Sequence, residues 1–131
     1  KALNNLIKCY NSDLEYSIPT RILINSTLKY PNYIGGTKSF DTKVIDSLKS
    51  KIFCKHGAEG VFLFAHLKKG ISGVVKVTDG NERAMASTII NIFKKLNLIN
   101  KSELRNLQIE EEFNLKNHAE KKIGYINFKI I

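Results

Sequence analysis

The sequence has no apolar run long enough to cross a bilayer: its longest stretches, such as Val61 to Ala65, are far too short. Lys1 to Tyr10 has no apolar core of signal-peptide type. Glycine-rich phosphate loops of the Walker or dinucleotide kind are missing, as are internal repeats and low-complexity linkers. Cysteine is scarce. Cys9 and Cys54 are the only two, which excludes a disulfide framework, and both read as reduced thiols of a cytoplasmic protein.

What remains is ordinary globular material: 131 residues, 43% hydrophobic and 25% charged, the size of one compact unit with its own core. The formal charge of +9 invites a nucleic-acid reading. The lysines, however, are scattered through nearly every segment, in a chain rich in Asn, Ile and Lys, as an AT-rich coding sequence produces. Tyr30, Tyr33, Phe62 and Phe64 do not interleave with basic residues as in a single-strand binder. Neither nucleic acid nor membrane is an expected partner.

Apolar spacing predicts a helix over Ala2 to Tyr10 and, with Pro19 in its first turn, another through Leu28 that buries Ile22, Leu23 and Leu28. Pro31 ends it, and Gly35-Gly36-Thr37 forms a loop. Asp41 is the expected N-cap of a helix carrying Val44, Ile45 and Leu48 and ending near Ser50. β-type runs follow at Lys51 to Cys54 and Gly60 to Leu67, then a turn at Lys68-Lys69-Gly70 and a returning strand, Ile71 to Val77. The longest helix is expected at about Glu82 to Asn97, burying Ala86, Ile89, Ile90, Phe93 and Leu96. Ser102 is the expected cap of a short helix to Leu107. Glu110 to Lys116 reads as polar loop, and Lys122 to Ile131 as a last strand joining the sheet. The fold class is α+β, an antiparallel sheet with helices packed on one face.

The chemistry concentrates in Phe53-Cys54-Lys55-His56-Gly57-Ala58-Glu59-Gly60-Val61. A glycine two residues after a lysine lets backbone pass close to a ligand, while the strand fixes the lysine beside it. A lysine partly desolvated there works in proton transfer beside a hydroxyl nucleophile. Glu59 stands ready to neutralise or orient Lys55. Cys54 and His56 alternate onto one strand face, but structural zinc wants four ligands, and no second pair is in sight. His66 and His118 read as ordinary strand-end and turn residues.

This run resembles the lysine-x-Gly-Ala-Glu-Gly-Val signature of the asparaginase II family. Tyr33 to Thr42 is similar to the family's valine-alanine-glycine-threonine-glycine-arginine-phenylalanine loop, although Gly35-Gly36-Thr37 moves the threonine by one place. Gly70 to Gly80 resembles its following strand and Asp-Gly turn, with Thr78-Asp79 where the family pairs two aspartates. Arg83-Ala84, Asn117-His118 and Ile123-Gly124 also match in order and spacing. The resemblance implies a serine β-lactamase-like fold that hydrolyses L-asparagine to L-aspartate and ammonia. A hydroxyl attacks the side-chain amide with lysine assistance, and water then releases the acyl group. Lys55 would be the catalytic lysine, with Thr37, Gly57 and Glu59 contacting substrate.

The family also carries a Ser-x-x-Lys near its N-terminus, then a Cys-Ser-Gly-Lys-His segment and a second cysteine that supply a metal site. No Ser-x-x-Lys is expected in this chain, at Ser12, Ser17, Ser26, Ser39, Ser47 or Ser72. The chain is therefore expected to lack the nucleophile. It reads as a C-terminal fragment, 1–131, of a larger enzyme, inactive alone. No cofactor is expected in it, any zinc being held by absent residues. Lost packing partners should leave an apolar patch covered by a homo-oligomer contact. The alternative is a stand-alone, non-catalytic α+β binding or interaction module.

Overall fold

The computed structural model describes residues 1–48, 51–109, 113–126 and 128–129. Three early helices precede the sheet: α1 (Ala2–Tyr10), α2 (Ser17–Lys29) and the short α3 (Asn32–Gly35). Pro19 lies in the first turn of α2, as its fixed φ favours. The buried side of α2 differs from expectation, however. Ser17, Thr20, Ile24, Thr27 and Leu28 face inward, while Ile22 and Leu23 are exposed. Thr27 is tolerated inside because its hydroxyl donates to the Leu23 carbonyl one turn back (3.0 Å).

In α4 (Phe40–Ser47) the N-cap is Ser39, whose hydroxyl accepts from the Thr42 amide (3.3 Å). Asp41, the expected cap, sits inside the first turn and is buried. The reason is periodicity: Asp41, Val44, Ile45 and Leu48 share one helical face, and all four are buried. The expected end near Ser50 falls outside the described residues; α4 stops at Ser47.

Strands β1 (Ile52–Gly57), β2 (Val61–His66) and β3 (Ile71–Lys76) form an antiparallel meander in the order β1-β2-β3. Glu59 and Gly60, both with positive φ, turn β1 into β2, and Gly70 (φ 66°) turns β2 into β3. Register places Ile52, Cys54 and His56 beside His66, Phe64 and Phe62 on one face. On that side the core gathers Ile24, Val44, Ile45, Leu48, Ile89 and Phe93 around the sheet. The Phe64 and Phe93 rings meet edge to face at 5.1 Å. Gly73, paired with Phe64, leaves room for that ring, which a β-carbon would overlap. Phe53, Leu63 and Val74 alternate to the other face and share an open groove with Leu3 and Leu6 of α1.

The expected long helix is instead a 3-10 turn (Glu82–Ala84) leading into α5 (Met85–Lys95), so α2 is longer. Asn97 takes a left-handed conformation (φ 52°) that ends the helical path. Leu96 is left 43% exposed, and Leu98 is buried in its stead. In α6 (Lys101–Leu107) the cap is Asn100, not Ser102: Asn100 accepts from the Glu103 amide and Glu103 reaches back to the Asn100 amide, both at 2.9 Å.

Two expectations about the C-terminal stretch also change. Phe113–Lys116 is a strand, β4, and β5 (Lys122–Ile126) pairs with it rather than joining the larger sheet. The Asn117 side chain explains the local pairing, since it accepts from the amides of Ala119 and Lys121 and tightens the turn. Glu110 to Glu112 and the end of the expected last strand lie outside the described residues. The fold class is α+β, as the sequence predicts.

Candidate active site

Among the described residues, β1 is an edge strand of its sheet. Its outward-facing backbone groups at His56 are not left to water. The His56 amide donates to Asp41 Oδ2 (3.2 Å), and its carbonyl accepts from Lys55 Nζ (2.7 Å). Lys55 and His56 leave β1 on opposite faces, yet both reach around the free edge to one carboxylate. His56 Nδ1 lies 2.8 Å from Asp41 Oδ2 and Lys55 Nζ lies 3.7 Å from it.

Asp41 is the centre of this cluster. Its side chain is 1% exposed. Oδ1 accepts from the Ser39 hydroxyl and the Thr42 amide. Burial by itself would raise its carboxyl pKa. The Ser39 hydroxyl, the His56 amide and the His56 ring together outweigh burial and hold the group below its ordinary range. Gly35 makes the arrangement possible, because a β-carbon there would overlap Asp41 Oδ1 and Ser39 Oγ. Beneath it, Cys54 Sγ approaches the Asp41 carbonyl at 3.7 Å. Burial and then the Asp41 charge push that thiol far above its usual range, only partly offset by Lys55, so it is an inert core group.

Beside the cluster opens a cavity of about 280 Å³, at the small end for ligand pockets. His56, Val61 and Phe62 are contributed by the sheet, Lys38 by the segment before α4, Phe40 by the first turn of α4, Glu82 by the 3-10 turn and Met85 by the start of α5. The His56 Nδ1 is held by Asp41, which leaves its other ring nitrogen for this space.

Of the sequence-predicted site residues, Lys55 alone enters the cluster. Asp41 occupies the place beside the Lys55 ammonium that was expected of Glu59, which instead lies exposed in the β1–β2 turn with φ 62°. Gly57 closes β1 opposite Val61. Thr37 is exposed in the turn before α4. Among the described residues, neither Thr37, Gly57 nor Glu59 makes a hydrogen bond to the cluster. A zinc ion does not fit Cys54 and His56: the thiol is buried and protonated, Nδ1 is engaged, and no group of three possible ligands converges among the described residues.

The expectation that no serine has lysine three residues on does not hold. Ser26-Thr27-Leu28-Lys29 has that spacing, one turn apart on the exposed side of α2. Lys29 is drawn over the Tyr30 ring at 5.1 Å, and neither Ser26 nor Lys29 lines the cavity beside His56 or the groove beside Lys55.

Among the described residues no helix is long and apolar enough to cross a membrane. No curated protein matches the chain. The family model for L-asparaginase II matches residues 4–128, nearly all of it, with the Lys55-to-Val61 run and the Gly35 loop inside the match. The chain belongs to the L-asparaginase II family.

Proposed function

We propose that this chain contributes the lysine-bearing wall of an amidohydrolase site that converts L-asparagine to L-aspartate and ammonia. The observation that carries the reading is the Lys55 ammonium on the free edge of β1, anchored by the His56 carbonyl and flanked by Asp41, in a chain of this family. Lys55 assists a hydroxyl nucleophile attacking the side-chain amide. Gly57 keeps the strand end open to substrate, with Thr37 and Glu59 at its margin. That nucleophile comes from outside the two cavities that Lys55 and His56 line, since the one serine lining either of them, Ser39, has its hydroxyl engaged by Asp41, Thr42 and the Gly36 carbonyl. The 131-residue chain is then one unit of a larger cytoplasmic enzyme with a serine β-lactamase-like fold, and is inactive alone. Ile18 and Ile22, 70% and 62% exposed on α2, support burial of that face by a homo-oligomer contact.

Ammonia release from L-asparagine tests this. The purified chain should release none above background, and the product of the whole gene should lose activity on Lys55→Ala. Turnover by the chain alone that Ser26→Ala abolishes would place the nucleophile on α2 and refute the missing-nucleophile half. Full activity of the Lys55→Ala enzyme would refute the assignment of Lys55.

A further inference from the structure

The cavity beside His56 is lined by side chains of opposite charge. Lys38 stands in the segment before α4, and Glu82 stands in the 3-10 turn before α5. Among the described residues neither side chain has a hydrogen-bond or ion-pair partner in the protein. The apolar Phe40, Phe62 and Met85 line the same slot, the two rings 5.2 Å apart, so its lining combines apolar and charged groups. His56 lines the slot as well. Its ring is fixed through Nδ1 by the buried Asp41, and a ring so held cannot swing away from a ligand without breaking that bond.

We propose that this slot binds the α-carbon end of a small α-amino acid, with Lys38 and His56 receiving the carboxylate and Glu82 the ammonium. The inference rests on the amidohydrolase reading for its choice of amino acid and adds the site that orients it. A zwitterion is the ligand that satisfies both charges at once. A plain anion would leave Glu82 facing it, and a plain cation would meet Lys38. Once the α-carbon end is anchored here, the side chain is left to point toward the β1 edge, where Lys55 stands.

L-aspartate is the probe, because it carries no amide to be hydrolysed. Succinate carries carboxylates without an ammonium, and n-propylamine carries an ammonium without a carboxylate. Titrations of the 131-residue chain, followed by amide chemical shifts, should show L-aspartate perturbing Ser39, His56 and Glu82, with succinate and n-propylamine each about tenfold weaker. Glu82→Gln should weaken L-aspartate about tenfold without weakening succinate, while Lys38→Ala weakens L-aspartate without weakening n-propylamine. Equal affinity for L-aspartate and succinate, equal loss of both in Glu82→Gln, or no perturbation by L-aspartate would overturn the proposal. Aspartate binding with a fully active Lys55→Ala enzyme would sink only the amidohydrolase assignment. A Lys55-dependent enzyme whose slot ignores L-aspartate would sink only this one.

Discussion

Replacing Asp41 with asparagine probes the cluster most directly, because it keeps the shape and removes the charge. The Asn carbonyl oxygen can still accept from Ser39 and Thr42, as Asp41 Oδ1 does. The amide NH2 would then stand where Oδ2 now accepts from the His56 backbone and ring, setting donor against donor at the backbone amide, forcing the ring to its other tautomer, and removing the charge from both contacts. Hydrogen bonds to a charged group contribute about 1.5 to 3 kcal/mol each, so the two at the low end give about 3 kcal/mol. At roughly 4 °C per kcal/mol for a domain of this size, the midpoint should fall by about 12 °C at pH 7.

Acid offers a second check. The folded carboxyl titrates below its ordinary 3.8, so its stabilisation is fully present above that value. Below 3.8 the unfolded chain takes up the proton first, and the contribution disappears as pH passes through the lower folded value. Urea unfolding followed by circular dichroism should therefore show a constant gap between the two proteins down to about pH 4, narrowing below. A gap under about 1 kcal/mol at neutral pH, or one unchanged in acid, would refute the reasoning.

Gly35→Ala should destabilise by about 1 to 3 kcal/mol, as over-packing does, and shift the Asp41 and His56 resonances together; an alanine variant with wild-type spectra would count against the close approach. Alkylation of the native protein should label the half-exposed Cys9 and spare Cys54 until denaturant is added, and equal labelling would contradict the burial of Cys54. Asn100→Ala, which removes one arm of the α6 capping box, should cost about 1 kcal/mol in chemical denaturation; no loss would mean the box is decorative.

Period and punctuation made much of the fold readable. The β2–β3 hairpin follows from the Val- and Phe-rich run of Val61 to His66 and from Gly70, and α4 from Val44, Ile45 and Leu48. α2 was misread because its partners, not its own pattern, decide which side is buried: Thr20 and Thr27 go inside while Ile18 and Ile22 stay out. Strand β4 was hidden because Asn114 and Lys116 look like loop and the strand is made by pairing with β5. At the site, the lysine run was visible from residue order and glycine placement. Asp41 was not, although a signal existed: extending the Val44, Ile45, Leu48 face back by one turn lands on it, and an acid on a buried face needs partners. That those partners are a neighbouring strand's backbone amide and ring is a tertiary fact that no local pattern carries.

The free edge of β1 has one more consequence. In the middle of a sheet, consecutive residues are sent to opposite faces and a neighbouring strand keeps them apart; at an unpaired margin their tips can meet again, as those of Lys55 and His56 do at Asp41. The meeting depends on the margin staying bare. A strand added there would claim the His56 amide and carbonyl, displacing the Asp41 carboxylate and the Lys55 ammonium in one stroke. Edge-to-edge assembly through β1 and an assembled Lys55–Asp41–His56 cluster are thus mutually exclusive states of the same backbone, and copies that associate with the cluster intact must do so elsewhere, along β3 or the outer side of α2.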